Sequence, residues 1–357
     1  MPQPLCFPSR PRSPLARLAC SAALALTLSA AATRAEVPQV VTDIPPVQSL
    51  VAMVMGDLGT PTVLLPQGGD PHSYQLRPSQ ARELANAGLV VWVGPELTPW
   101  LDRALATVTQ EDSARLGLLA APGTILRDFA EDSPETAELA GDHGEDHAPG
   151  HDDGHDHGHD HGENQADDHT DDHGHDHGHG HDHGFRDPHA WLDPQNGQIW
   201  LDQIAETLGQ LDPEHAALYA QNAVMAAERL AALDSALQSE LAPVRDRPFL
   251  VSHDAYQYFV AHFGLTQEGT ISMGDAAAPG AARLDALRDD MLAGHAVCAF
   301  PEANHDPKQM AQLIEGTPVR QGAAIDPAGS TLAPGADLYE RLLKEMATTL
   351  RNCLSAG

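Results

Sequence analysis

Short apolar runs alternating with amphipathic stretches dominate the chain. Residues 37–44 (VPQVVTDI) are apolar and β-rich, and give way at Pro45 and Pro46 to a helical pattern reaching Val54. Residues 62–65 read as a second strand. Residues 89–93 (LVVWV) read as a third, apolar at every position like a parallel strand covered on both faces. Helices fit at 78–86 and 98–107. Strands alternating with helices predict a parallel α/β sheet. The second half repeats the plan, with strands at 249–252 and 297–300 (VCAF) and a weaker one at 319–325. Its helices fit at 255–263, 281–293, 308–315 and 337–354. Between the halves lies the longest helical pattern. Asp212 is its expected N-cap and Pro213 suits its first turn. Leu218, Met225, Leu230, Leu233, Leu237 and Leu241 follow at roughly helical spacing to Pro243. About thirty residues would run roughly 45 Å, enough for a spine joining two lobes; a helix packed within one lobe fits the same pattern. The expected fold is α/β, with two lobes that each hold a mainly parallel sheet flanked by helices. The expected division is an N-terminal lobe at 36–210, a linking helix at 211–243 and a C-terminal lobe at 244–357.

Two stretches break the pattern. Residues 1–35 read as a secretory signal, with Arg10, Arg12 and Arg17 in a positive n-region and a short Ala/Leu run at 18–32. Thr33, Arg34 and Ala35 make a cleavage site before Glu36. A lipoprotein reading at Cys20 is weak, because Arg17 stands where a lipobox has Leu and the apolar run follows the Cys. The expected address is the periplasm. The second stretch, 141–184, holds 14 of the 21 His and 14 Asp or Glu. These histidines are His143, His147, His151, His155, His157, His159, His161, His169, His173, His175, His177, His179, His181 and His183. Such a segment has too little apolar surface to offset the entropy of ordering, and is expected to be disordered without metal. Imidazoles interleaved with carboxylates suit zinc, copper or nickel, so the tract is a candidate auxiliary metal loop. A solvated acidic linker is the plainer alternative.

The formal net charge is −31, and the expected signal carries four Arg and no acid, so the remainder is more acidic still. That excludes a chain seeking nucleic acid or anionic lipid and favours cations; it also suits a monomer kept apart by repulsion. Cys6 and Cys20 leave with the signal. An oxidising compartment favours a disulfide between the remaining Cys298 and Cys353, which would staple a strand to the last helix. Metal ligation by that pair stays open, though neither sits in the short Cys spacing of zinc sites.

Four residues outside the tract are candidate ligands. His72 lies in a loop after the second strand, and His253 follows the strand at 249–252 directly. Asp326 follows the last strand. His189 lies in DPHAWLDP, where two Asp-Pro pairs stiffen the loop. All four are placed at or just past strand ends, where open α/β sheets bind ligands. Their separations are 117, 64 and 73 residues; without the tract they become 73, 64 and 73, a hint of a duplicated plan with the tract inserted into one lobe. Two ligands from each lobe would place a cation in the cleft between them. Three imidazoles with a carboxylate or water suit tetrahedral zinc. His215, His262, His295 and His305 read as surface or structural.

These residues carry a family resemblance. HSYQLRPS from His72, LVVWVGPELTPWL from Leu89, DPHAWLDP from Asp187, SHDAYQYF from Ser252 and IDPAG from Ile325 resemble the periplasmic zinc-binding protein of high-affinity zinc ABC importers, the ZnuA type of metal-binding solute-binding protein. The resemblance spans nearly all the chain after the signal, and the His-rich insert is part of it. It implies two α/β lobes joined by a long helix, zinc held by His72, His189 and His253, and a Cys298–Cys353 disulfide. Some zinc-binding relatives use a Glu just before the first His as a fourth ligand; this chain has Pro71 there, and Asp326 is favoured over water. The expected action is capture of Zn2+ and delivery to an inner-membrane ABC permease, with the tract as a weak collector. A zinc hydrolase is the first rival, but no HExxH or other paired-base motif accompanies the histidines. A periplasmic metal buffer and an importer of another divalent metal are the others.

Overall fold

The structure, a computed structural model, describes residues 37–107, 113–129, 186–271 and 280–356; the expected signal and the His-rich tract lie outside the described residues. The first sheet has β1 (Val40–Thr42) between β2 (Thr62–Val63) and β3 (Leu89–Trp92), with β4 (Ala114–Gly117) beyond β3, all parallel. The second sheet has β5 (Phe249–Val251) between β6 (Gln267–Thr270) and β7 (Cys298–Phe300), with β8 (Arg320–Gln321) beyond β7, again all parallel. Both sheets therefore share one strand order, 2-1-3-4, which supports the duplicated plan.

Side chains alternate across each sheet. Leu89, Val91 and Val93 join the principal core, while Val90 and Trp92 join a smaller outer cluster under α2 (Pro78–Ala85) and α3 (Pro99–Leu105). The second sheet does the same. Phe249, Val251, Cys298 and Phe300 face the principal core, and Leu250 and Ala299 face an outer cluster with Met291 of α7 (Ala281–Leu292) and Met310 of α8 (Pro307–Ile314). The principal core is continuous from one sheet to the other. Its centre is built by α1 (Pro45–Met55), α4 (Pro194–Leu211), α5 (Ala216–Leu241) and α9 (Leu338–Leu354), which pack on one another. The linking helix, α5, is thus the axis of a shared core, and α9 returns from the second half to pack on α1 and α5.

Asp43 closes the first sheet at its carboxyl edge. Its fully buried carboxylate accepts the N–H of Ile44 and of Val93, both at 2.8 Å, tying the ends of β1 and β3. Burial pushes this carboxyl up to about 7, against the lowering effect of those bonds.

Several local expectations change. Asp212 does not cap the long helix: α5 starts at Ala216, and Asp212 is buried in the preceding turn, accepting from Tyr219 Oη at 2.9 Å and pairing with His215 Nδ1 at 2.7 Å. The buried stripe of α5 is Tyr219, Ala223, Ala226, Leu230, Leu233, Leu237 and Leu241, whereas Leu218 and Met225 face solvent. Ala223 and Ala226 stand in the buried stripe where Leu218 and Met225 were expected. Strands β4 and β6 and helix α4 were not anticipated. β6 reads QEGT and β4 reads ARLG, edge strands without an apolar run. The strand expected at 319–325 is only Arg320–Gln321, and Ile325 makes a separate bridge to Glu302.

Cys298 of β7 and Cys353 of α9 form a disulfide across 55 residues of chain. Chain-entropy arguments give a cross-link of that span roughly 4 kcal/mol. Replacing both cysteines by Ala is expected to lower the unfolding free energy of the metal-free protein by about that amount, read by linear extrapolation of denaturant unfolding, with a steeper slope because the unfolded chain without the cross-link exposes more surface.

Candidate metal centre

Three segments converge at the facing carboxyl edges of the sheets. His72 lies nine residues beyond β2, in a loop turned by Asp70, whose Oδ1 accepts the His72 N–H at 2.9 Å. Trp100 of α3 donates through Nε1 to the Pro71 carbonyl at 2.6 Å. His253 follows β5, as the sequence predicts. His189 follows no strand: the chain returns at Arg186 through a single antiparallel bridge to Asp128, and His189 opens a 3-10 turn, Ala190–Leu192.

The ligand atoms of His72, His189 and His253 lie within 4.8 Å of one another, the potential metal-binding group among the described residues. Ring centroids are 5.3 Å apart for His72 and His189, and 5.5 Å for His189 and His253. His189 and His253 are buried and His72 is half-buried. Nitrogens around one zinc at about 2.0–2.1 Å are roughly 3.3 Å apart, so a small inward movement completes the set.

Carboxylates orient the two buried rings. Asp187 Oδ1 meets His189 Nδ1 at 2.8 Å and accepts the His189 N–H at 2.9 Å. Glu302, next to the end of β7, meets His253 Nδ1. With Nδ1 committed, Nε2 is the nitrogen each ring can present to a cation, and the carboxylate raises its basicity. Asp187 is itself fixed: its N–H donates to the Arg127 carbonyl at 3.0 Å, and Tyr258 Oη donates to its carbonyl at 3.0 Å. Burial pushes the Asp187 carboxyl up to about 7, opposed by the His189 N–H and by the charges of His253, His72 and Arg127. Burial, then the charges of Glu302 and Asp326, push the Tyr256 phenol well above its ordinary range, so it stays a neutral wall beside His253.

Asp326 lies outside the three-histidine group. It follows the bridging residue Ile325, and its carboxylate accepts from Ser330 N and Oγ at 2.9 and 3.1 Å and from Thr331 N and Oγ1 at 2.7 and 2.6 Å. Ligation by Asp326 would exchange part of that network. His215 and His262 are held by carboxylates within the fold, and the exposed His295 lies 3.8 Å from Asp290. Asp187 and Glu302 are partners that the four candidate ligands do not include. Asp187 lies two residues before His189, a detectable local cue; Glu302 lies 49 residues from His253 and leaves none.

Residues 40–353 match the family described as zinc-uptake complex component A, periplasmic, ZnuA. The chain belongs to this family. It is 58% identical over 334 residues to the high-affinity zinc uptake system protein ZnuA of Paracoccus denitrificans (strain Pd 1222), covering 94% of this chain and 97% of that one. It is 44% identical to the protein of the same name from Brucella suis biovar 1, covering 88% and 91%. A solved structure described as a crystal structure of ZnuA superposes with a TM-score of 0.65 at 23% identity, covering 88% of this chain and 98% of the other; that likeness concerns the fold.

Replacing Glu302 by Gln is expected to weaken zinc binding by about 10–100-fold while one ion still binds, because the ring loses its anionic partner but no ligand leaves. Competition with a chelator measures it.

Proposed function

We propose that this chain is the periplasmic zinc-binding component of an ABC-type importer, capturing Zn2+ between its lobes and handing it to an inner-membrane permease. The observation that carries the reading is the convergence of His72, His189 and His253 from three separate segments, with two of the rings buried and oriented by carboxylates. Three imidazoles favour zinc over manganese, which prefers oxygen donors. Asp326 is the favoured fourth ligand, with water as the alternative. The action is binding and release rather than catalysis. A match to a zinc-uptake family and relatives named for high-affinity zinc uptake support it.

The finer features belong to the same reading. The 1–35 segment is a signal peptide that directs the chain to the periplasm, where it acts as a monomer. No described helix is long and apolar enough to cross a membrane. The lobes are 36–210 and 244–357, joined by the linking helix at 211–243. The tract at 141–184 is a weak collector that raises the local zinc concentration near the cleft. Its attachment supports this, since the Asp128–Arg186 bridge brings the flanking chain back three residues before His189.

Zinc titration against a chelator on wild type, a 141–184 deletion and His253→Ala tests the proposal. One tight site should survive the deletion, with lower total stoichiometry. His253→Ala should weaken that site by more than the roughly 10–100-fold typical of losing an outer partner. Strong binding lost with the tract and untouched by His253→Ala would make the chain a metal buffer instead. Affinity of the tight site should fall as pH is lowered through the imidazole range, because protons compete with the cation for the ring nitrogens. An affinity equal at neutral and mildly acidic pH would count against histidine ligation.

A further inference from the structure

The loop at 187–193 that carries His189 belongs by chain to the first half, yet a helix of the second half holds it at both ends. That helix, α6 (Gln257–Phe263), reads QYFVAHF and follows His253 closely. Tyr258 and His262 are four residues apart and so share one face. At the loop's start, Tyr258 Oη accepts the Arg127 N–H at 2.8 Å and donates to the Asp187 carbonyl. At its end, His262 Nδ1 lies 3.0 Å from Asp193 Oδ1, and Nε2 lies 2.7 Å from Asp234 Oδ1 on α5. The same Asp193 oxygen caps α4 by accepting the Gln195 N–H at 2.8 Å. One buried ring therefore joins α6, the N-terminus of α4 and the linking helix.

We propose that His262 is a positioning residue for metal capture, fastening the end of the ligand loop to α6 and so holding His189 against His253. The inference rests on the three-imidazole reading of the metal centre. The charged form of the ring makes the fastening work. An imidazolium donates from both nitrogens, one to each carboxylate; a neutral ring has one donor, and one carboxylate then meets a lone pair. The groups facing it are Asp193 at the start of α4 and Asp234 of α5, and Tyr339 of α9 lies near both of those carboxylates. The Tyr339 phenol, kept neutral by burial and by the charges of Asp193 and Asp234, donates to the Trp191 carbonyl within the same loop at 2.6 Å. On its own helix the ring packs edge-on against Phe263, and Gln238 of α5 donates to the His262 carbonyl. Burial disfavours the charged ring, but the hydrogen bonds and charges of Asp193 and Asp234 outweigh it and hold the imidazole above its usual range.

The sign of the pH effect follows from a raised folded-state value. The stability His262 contributes is complete below the unfolded value near 6.5 and is lost as pH rises through the folded value above it. This runs opposite to proton competition at the ligands, so the two can be separated.

The test compares full-length wild type, His262→Gln, Asp234→Asn and His189→Ala by chelator competition, by rate of zinc release to chelator, and by thermal unfolding of the zinc-free protein across pH. His262→Gln should still bind one zinc tightly, on the order of 10-fold more weakly and with faster release. The wild-type advantage in thermal stability over His262→Gln should narrow from mildly acidic to mildly alkaline pH. Asp234→Asn should shift affinity and release in the same direction by less, and carries the test alone if His262→Gln does not fold. Affinity, release and pH profile unchanged in these variants, while His189→Ala abolishes the tight site, would overturn the positioning role. Tight binding retained by His189→Ala would overturn the three-imidazole reading itself.

Discussion

Asp187 and Glu302 hold the Nδ1 edges of His189 and His253, and the geometry of the candidate metal centre depends on those two contacts. An imidazole can turn and can carry its proton on either nitrogen. A carboxylate behind it selects the tautomer and aims the other nitrogen. The carboxylates must in turn be immobile. Asp187 is, because Arg127 and Tyr258 hold its backbone from two directions, and Glu302 stands at the end of a core strand next to Tyr256. Burial pushes the Asp187 carboxyl up to about 7, against the His189 N–H and the nearby positive charges. A cation beside His189 favours the anionic form, and the anionic form strengthens the ring as a ligand.

The scaffold behind these contacts is two sheets on one core. Each sheet supplies carboxyl-end loops on its own, but the principal hydrophobic cluster runs through both, and α9 crosses back to pack on α1. A shared, close-packed interior resists wide separation of the halves. The His189 loop is the extreme case of sharing: Trp191 donates to the Pro327 carbonyl at 2.8 Å, and Tyr339 donates to the Trp191 carbonyl.

Charge suits the same task. A chain of net charge −31 attracts cations over its whole surface. Asp187 and Glu302 are engaged with ring nitrogens, and Asp326 with Ser330 and Thr331.

Much of the plan was legible in the residues themselves. Runs such as LVVWV are apolar at every position because both faces of a parallel strand are covered, and that property is local. His72 and His253 stand out because each follows a predicted strand, and His189 because two Asp-Pro pairs stiffen its loop. The paired cysteines followed from compartment and number. Tertiary structure alone decided the rest. β4 and β6 lie at sheet edges, where sparse packing leaves no apolar run to detect. The buried stripe of α5 uses Ala223 and Ala226, because which face of this helix is buried is set by the helices packed on it and not by the hydrophobicity of single residues. The hydrogen bonds that the loop after Asp326 makes to its carboxylate leave no mark in the residues on either side. The partners Glu302, Tyr258 and His262 reach across 49, 131 and 28 residues of chain. Spacing along a sequence reports which face of a local element is buried. Contacts between distant elements arise only when those elements pack, and the aim and rigidity of the three imidazoles are made of such contacts.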